Sequence, residues 1–228
     1  MKTQALGGFL LAIFLLTGCL IARADDYDLL IRKVYRNDLE GLKELVVSGV
    51  DVDASLPGSN ATALFVACSL GDRVEIVEFL LESGAEVNIQ GFRDGRTPLM
   101  WAAGNCLKSV ELLIEHGADV KIKGVDGMTA FIQSIFGVLS KRISTDISSY
   151  LLAHGADINT QLTGPDAEGM TALMFAVRWD DVQLVKYLLK NGADVNLKTP
   201  WGETALTMAR GKGNHGIEAV LLQHGALL

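Results

Sequence analysis

Apolar and polar positions recur along this chain with a long period. Five times an apolar stretch ends in Gly-Ala, at Gly84-Ala85, Gly117-Ala118, Gly155-Ala156, Gly192-Ala193 and Gly225-Ala226. Successive glycines lie 33, 38, 37 and 33 residues apart, and a degenerate copy, Ser48-Gly49-Val50-Asp51, lies 35 residues before the first. Each follows an aliphatic ending such as Phe79-Leu80-Leu81 or Tyr187-Leu188-Leu189. In the copy from Gly169 to Asn196, Leu173, Ala176 and Val177 share one helical face, as do Leu184, Val185 and Leu188 beyond a break at Asp180-Asp181. Thr171 is placed to cap the first helix, and Gly192 to close the second in the left-handed conformation. Turn pairs recur at Asp94-Gly95, Asp126-Gly127, Glu168-Gly169 and Trp201-Gly202. Each unit is therefore expected to be two short helices and a loop. A unit of that size cannot bury its own apolar face and must stack on its neighbours. The fold class that follows is an all-α repeat solenoid of about six units, near 27–55, 56–90, 91–123, 124–160, 166–198 and 199–228. Such an array offers a long surface and no enclosed catalytic pocket.

The first helices share a motif: Thr62-Ala63-Leu64-Phe65-Val66-Ala67-Cys68, Thr97-Pro98-Leu99-Met100-Trp101-Ala102-Ala103, Thr129-Ala130-Phe131, Thr171-Ala172-Leu173-Met174-Phe175-Ala176 and Thr204-Ala205-Leu206-Thr207-Met208-Ala209. This resembles the Thr-Pro-Leu-His-x-Ala-Ala element of the ankyrin repeat, over about residues 27 to 228. The resemblance implies helix-turn-helix units with hairpin-like loops, and a protein-binding concave face lined by those loops and the first helices. Proline survives only at Pro98. The usual histidine is replaced by Phe65, Met100, Ile132, Met174 and Thr207, so its hydrogen bond is lost or supplied otherwise. The first copy (Tyr27 to Asp53) lacks the threonine element, as suits a terminal cap. The copy from Asp126-Gly127 is stretched by about five residues through Gly137 to Ile143. A polar loop, Thr160 to Glu168, follows it. Insertions in such arrays fall in loops, often at the binding face; neutral lengthening is the competing explanation, because closure entropy grows slowly.

Residues 1–24 read as a leader, leaving 25–228 for the repeat domain. One charge, Lys2, precedes the apolar run Ala5 to Leu16, too short to span a bilayer and suited to a secretory signal. Leu16-Thr17-Gly18-Cys19 resembles a bacterial lipobox, with Cys19 as the lipidated residue. Ala22-Arg23-Ala24 offers a rival cleavage site after Ala24 and a soluble product, and an uncleaved anchor is a third reading. All three put the repeats outside the cytoplasm, in the periplasm or cell envelope.

A net charge of -7, with no Lys/Arg cluster longer than a pair, argues against nucleic acid as partner. His116, His154 and His224 precede glycine in equivalent units, too far apart for one metal; a helix C-terminal role fits them better. His215 lies in Gly211 to Gly216, which lacks phosphate-loop spacing and reads as an inter-helix turn. Cys68 and Cys106 have no His-Asp partner in the repeat frame; in an oxidising compartment they are a possible disulfide. No catalytic residues, cofactor, metal or small-molecule substrate are expected, and the chain does not read as an enzyme. Candidate partner-binding residues are those the repeat does not dictate: Phe92, Arg93, Arg96, Trp101, Trp179 and Trp201, with Trp and Arg the types enriched at hot spots. Core packing is the competing role for Trp101, and covering a helix turn for Trp179. The expected function is a protein–protein interaction module of the bacterial envelope, membrane-held through Cys19. It would act as scaffold or inhibitor, resembling ankyrin-type immunity lipoproteins that mask a toxic hydrolase. The alternative is an accessory factor in periplasmic oxidative-stress protection that uses Cys68 and Cys106.

Overall fold

The computed structural model describes residues 26–56, 58–91, 93–141 and 143–227. The leader, with Cys19, lies outside them. Residues 26–36 form α1, followed by α2 (Leu39–Val47), α3 (Ala63–Leu70), α4 (Val74–Glu82), α5 (Pro98–Ala103) and α6 (Leu107–Glu115). The remaining helices are α7 (Ala130–Leu139), α8 (Asp146–Ala153), α9 (Ala172–Arg178), α10 (Val182–Lys190), α11 (Ala205–Gly211) and α12 (His215–Gln223). Successive helices pair into units. From the second unit on, the first helices stack as one layer, α3 on α5, α7, α9 and α11, and the second helices form another behind it. Among the described residues the fold is all-α; the loops carry only an isolated antiparallel bridge, between Gly91 and Arg96.

The same local chemistry starts each first helix. Thr62, Thr97, Thr129, Thr171 and Thr204 are extended, and each hydroxyl accepts the N–H three residues on, at 3.4, 3.3, 3.2, 3.3 and 3.1 Å respectively. All five threonines are buried, so the hydroxyl satisfies a donor that water cannot reach. Where Thr207 replaces the usual histidine, its hydroxyl accepts the Thr204 N–H at 2.8 Å and completes a capping box.

Each second helix also ends alike. Gly49, Gly84, Gly117, Gly155, Gly192 and Gly225 are left-handed, with φ of 85° to 95°. The N–H after each glycine reaches back to the carbonyl five residues earlier, as Ala193 does to Leu188 at 3.0 Å and Ala226 to Leu221 at 3.1 Å. This double-bonded ending satisfies the orphan carbonyls and fixes where the chain turns back. A Cβ at these glycines from Gly84 onward would meet nothing within 4 Å, so backbone angle alone demands the residue.

Side chains in the following loop clamp unit to unit. Asp53 accepts the Glu86 N–H, Asn88 that of Asp119, Asn159 that of Asp194 and Asn196 that of Leu227, at 2.8 to 3.0 Å. Gln90 and Gln161 each donate to one carbonyl in their own loop, Gly95 or Gly169, and one in the next loop, Lys123 or Lys198.

The stretched fourth unit spends its extra residues partly on helix. Its α7 has 10 residues, against 8, 6, 7 and 7 in α3, α5, α9 and α11. The insertion expected in a loop is therefore shared between an extra helical turn and the connection to α8. Gly137 sits in that added turn, where a Cβ would lie 2.5 Å from Ile143 Cδ1 and 3.2 Å from the Gly104 carbonyl. Glycine there lets α7 approach α5.

Thr171→Ala is expected to lower stability by about 1–2 kcal/mol, because it strands a buried N–H, while Thr171→Ser retains most of it. Urea unfolding of the three proteins measures the difference, and equal loss in both variants would contradict the capping role.

Candidate protein-binding surface

Lining the units up on their capping threonines shows which side chains the first-helix layer presents. Four and seven residues past the cap stand Val66 and Ser69, Trp101 and Gly104, Gln133 and Phe136, Phe175 and Arg178, then Met208 and Gly211. In the second, third and fourth units these columns wall two neighbouring clefts. The larger, about 710 Å³, is lined by Tyr35, Phe65, Val66, Ser69, Arg93 and Trp101 among others, and is mostly apolar. The second, about 320 Å³, lies between α5 and α7 against Trp101, Gly104, Gln133 and Phe136. Trp101 is the wall they share, and the small Ser69 and Gly104 leave the room beside it. A third cleft of about 490 Å³ runs along the loop tips between Arg93, Val125, Thr163 and Pro165, and joins the first through Arg93 and Asp94.

The residues singled out in the sequence fall in separate places. Trp101 is partly buried, with its ring centroid 5.8 Å from that of Phe65 and the Arg96 guanidinium 5.8 Å above it. Its indole N–H is shielded from solvent and has no acceptor among the described residues. Arg96 is spent inside the molecule: Nε is 2.9 Å from the Asp94 carboxylate, Nη1 donates to Gln133 at 2.8 Å, and Nη2 is 3.8 Å from Asp126. It braces Trp101 and ties two loops to α7, which leaves it little freedom to meet a partner. Arg93 is exposed, lies on both the first and third clefts, and has no ion pair among the described residues. Phe92 lies outside the described residues. Trp179 ends α9, half exposed, 6.3 Å from Phe136 and 5.8 Å from Phe175. Trp201 stands 66% exposed at the tip of the last loop and walls none of these clefts.

Phe136 and Gln133 were missed by reading the sequence one residue at a time. Phe136 packs edge-on against Phe175 at 4.9 Å and walls the second cleft. The signal for it was present: a column aligned on the threonine caps shows an aromatic where neighbouring units carry Ser69 and Gly104.

The histidines close helices. Nδ1 of His116, His154 and His224 lies 2.9, 2.8 and 2.8 Å from the carbonyls of Leu112, Tyr150 and Val220. A carbonyl only accepts, so each ring carries its proton on Nδ1. Asn191 makes the same bond at the equivalent position, to the Tyr187 carbonyl at 2.7 Å, so the position calls for a donor and not for imidazole chemistry. His215 opens α12 beside Asn214, which caps it, as expected of an inter-helix turn. Cys68 is fully buried in α3, and desolvation pushes its thiol well above the usual range. Cys106 stands at the start of α6, and both thiols are free in this structure. A thiol held protonated is a poor nucleophile.

Comparison with known proteins agrees with this architecture. The family described as ankyrin repeats (three copies) matches residues 30–124 and 125–199. A putative ankyrin repeat protein, FPV031, of Fowlpox virus (strain NVSL) is 42% identical over 94 residues, 41% of this chain and 27% of that protein. The ankyrin repeat and KH domain-containing protein mask-1 of Caenorhabditis elegans is 31% identical over 210 residues, 82% of this chain and 8% of its own length. A putative ankyrin repeat-containing protein of Treponema pallidum (strain Nichols) is 35% identical over 81 residues, 36% of this chain and 26% of that one. The chain thus spans less than about a third of the length of these curated relatives. The crystal structure of the ankyrin repeat domain of Bcl-3 superposes with a TM-score of 0.75 at 24% identity, covering 87% of this chain and 86% of that one. With helix pairs, capping threonines and closing glycines repeated from unit to unit, the chain belongs to the ankyrin-repeat family, and its fold is a protein–protein interaction module.

Proposed function

We propose that this module works in the bacterial cell envelope, held to a membrane through a lipid on Cys19, and that it binds a protein partner as scaffold or inhibitor. The observation that carries the binding half is the pair of clefts meeting at Trp101. A partly buried tryptophan flanked by apolar walls, with the unpaired Arg93 at the rim, is the composition of an interface hot spot. Desolvation of an apolar cleft supplies affinity, and a charge at its edge supplies orientation. The envelope half is supported by the leader alone: a short apolar run followed by Leu16-Thr17-Gly18-Cys19. A role as inhibitor fits a surface that can cover another protein without chemistry of its own. The oxidative-stress reading gains nothing from Cys68, whose burial keeps it protonated.

Two measurements test the two halves separately. Ser69→Arg should fill both clefts while leaving the fold intact, since Arg178 occupies the same register in α9. Capture of a specific protein from envelope extracts is expected to fall at least about tenfold with Ser69→Arg or Arg93→Glu. Retention by both variants, with loss on Trp201→Ala instead, would move the site to the last loop. Mass spectrometry of the mature N-terminus is expected to show acylated Cys19; a start at Asp25 or an intact leader would remove the lipid anchor.

A further inference from the structure

The stack is not uniformly tied, and the exceptions gather in the fourth unit, α7 with α8. Among the described residues, the side-chain loop clamp that joins every other neighbouring pair of units is missing between the third and fourth, where Arg96 to Gln133 and Asp126 and the Val125 N–H to the Asp94 carbonyl make the ties instead. Asp53, Asn88, Asn159 and Asn196 share one register, four residues past the closing glycine, and each accepts an N–H from the next unit. In the third unit that register holds Lys121, and two residues further on Lys123 stands where Gln90 and Gln161 donate across. An ammonium has no lone pair to offer, so the N–H of Asp157 receives no such bond from Lys121.

The buried apolar residues fall into two clusters that meet in the same unit, with Ala130 of α7 in the first and Ala156 packed against both. Ile147 and Leu151 of α8 belong to a cluster that runs back to Leu30. Phe131, Ile132 and Ile135 of α7 belong to a second cluster that runs on to Ala226. Between the two helices lies a buried hydroxyl pair, Ser134 and Ser148, 2.8 Å apart. Ser134 gives its proton to the Phe131 carbonyl at 2.7 Å, so Ser148 is the donor within the pair. One hydrogen bond stands where the second, third and fifth units pair an alanine with a valine: Ala67 with Val77, Ala102 with Val110 and Ala176 with Val185. In addition, α7 meets α9 over far less of its length than it meets α5. The junction with the fifth unit is held by the Asn159 clamp, the Phe136–Phe175 ring contact, a Ser149–Tyr187 hydroxyl bond at 2.8 Å, and a hook of loop in which the N–H groups of Thr163 and Gly164 reach the Asp126 carbonyl at 2.8 and 3.1 Å.

We propose that the fourth unit is a joint, at which the stack opens locally and bends while the units on either side stay packed. In a solenoid each unit is held by its neighbours alone, so a unit that lacks a side-chain clamp and lies where two core clusters meet opens first. The joint lies under the cleft between α5 and α7, against Trp101 and Phe136. Bending there alters the width of that cleft, and a partner seated in it would bridge the joint.

Hydrogen exchange read by mass spectrometry on the full described domain tests this without a ligand. Amides of α7 and α8 are expected to exchange about tenfold faster or more than those of α5 and α9, under conditions where the whole chain stays folded. The double variant Lys121→Asn/Lys123→Gln restores a group able to accept from Asp157 and one able to donate across the loops, and it should slow that exchange selectively. As a second readout, urea unfolding followed by Trp101 alone (Trp179→Phe/Trp201→Phe) and by the other two tryptophans (Trp101→Phe) should give separate midpoints. Protection that is uniform, or that fades only toward the two ends of the stack, would overturn the proposal. So would exchange unchanged by the double variant together with coincident midpoints.

Discussion

Each helix pair in this chain is too small to bury its own apolar side chains, and that shortage governs the rest of the structure. Leu64, Phe65 and Ala67 of α3 are buried because α5 lies on one side of them and α4 behind. The same holds for each first helix along the array. Stability is then a sum over neighbours, and every feature that fixes the stacking distance counts once per junction. The capping threonines and closing glycines serve this end. They settle where each helix starts and stops, so that identical faces meet at each step.

Polar groups complete what hydrocarbon begins. The Asn and Gln clamps bind backbone groups of the following loop, so they enforce register between units regardless of which apolar residues the helices carry. The histidines at the helix ends do comparable work within a unit, each giving Nδ1–H to a last-turn carbonyl. The equivalent Asn191 makes the same bond, so the position uses a side-chain donor and not imidazole chemistry. Groups that look like chemistry in the sequence are, in three dimensions, fastenings.

Period and local chemistry were legible before any coordinates. The repeated Thr-x-Leu starts and Gly-Ala endings identify both boundaries of a unit, because each rests on a backbone constraint that few residues satisfy: a β-region hydroxyl cap and a left-handed turn. The surface was harder to read. Arg96 looked like a free contact residue, yet its three partners come from its own loop, the next loop and α7, up to 37 residues away in sequence. Phe136 carries no motif of its own, and only its column across the units sets it on the cleft beside Trp101. The extra turn of α7 could not be told from loop, since Gly137 within it argues locally against helix. Its close approach to α5 is a tertiary reason that overrides propensity.

The same small residues open the cleft and let the helices of the first layer approach closely. Gly104 opposite Trp101 leaves space that a larger side chain would fill, and Gly137 lets α7 draw close to α5. Neither contributes apolar area to the contact it permits. The backbones of α5 and α7 therefore pack as closely as any helix pair in the stack, while the side chains around them leave a cleft. The cleft at α5 and α7 thus comes from side-chain volume removed from the first-helix layer and not from a loss of backbone contact there. In a linear array, side-chain volume given up at such a junction opens a surface without separating the units.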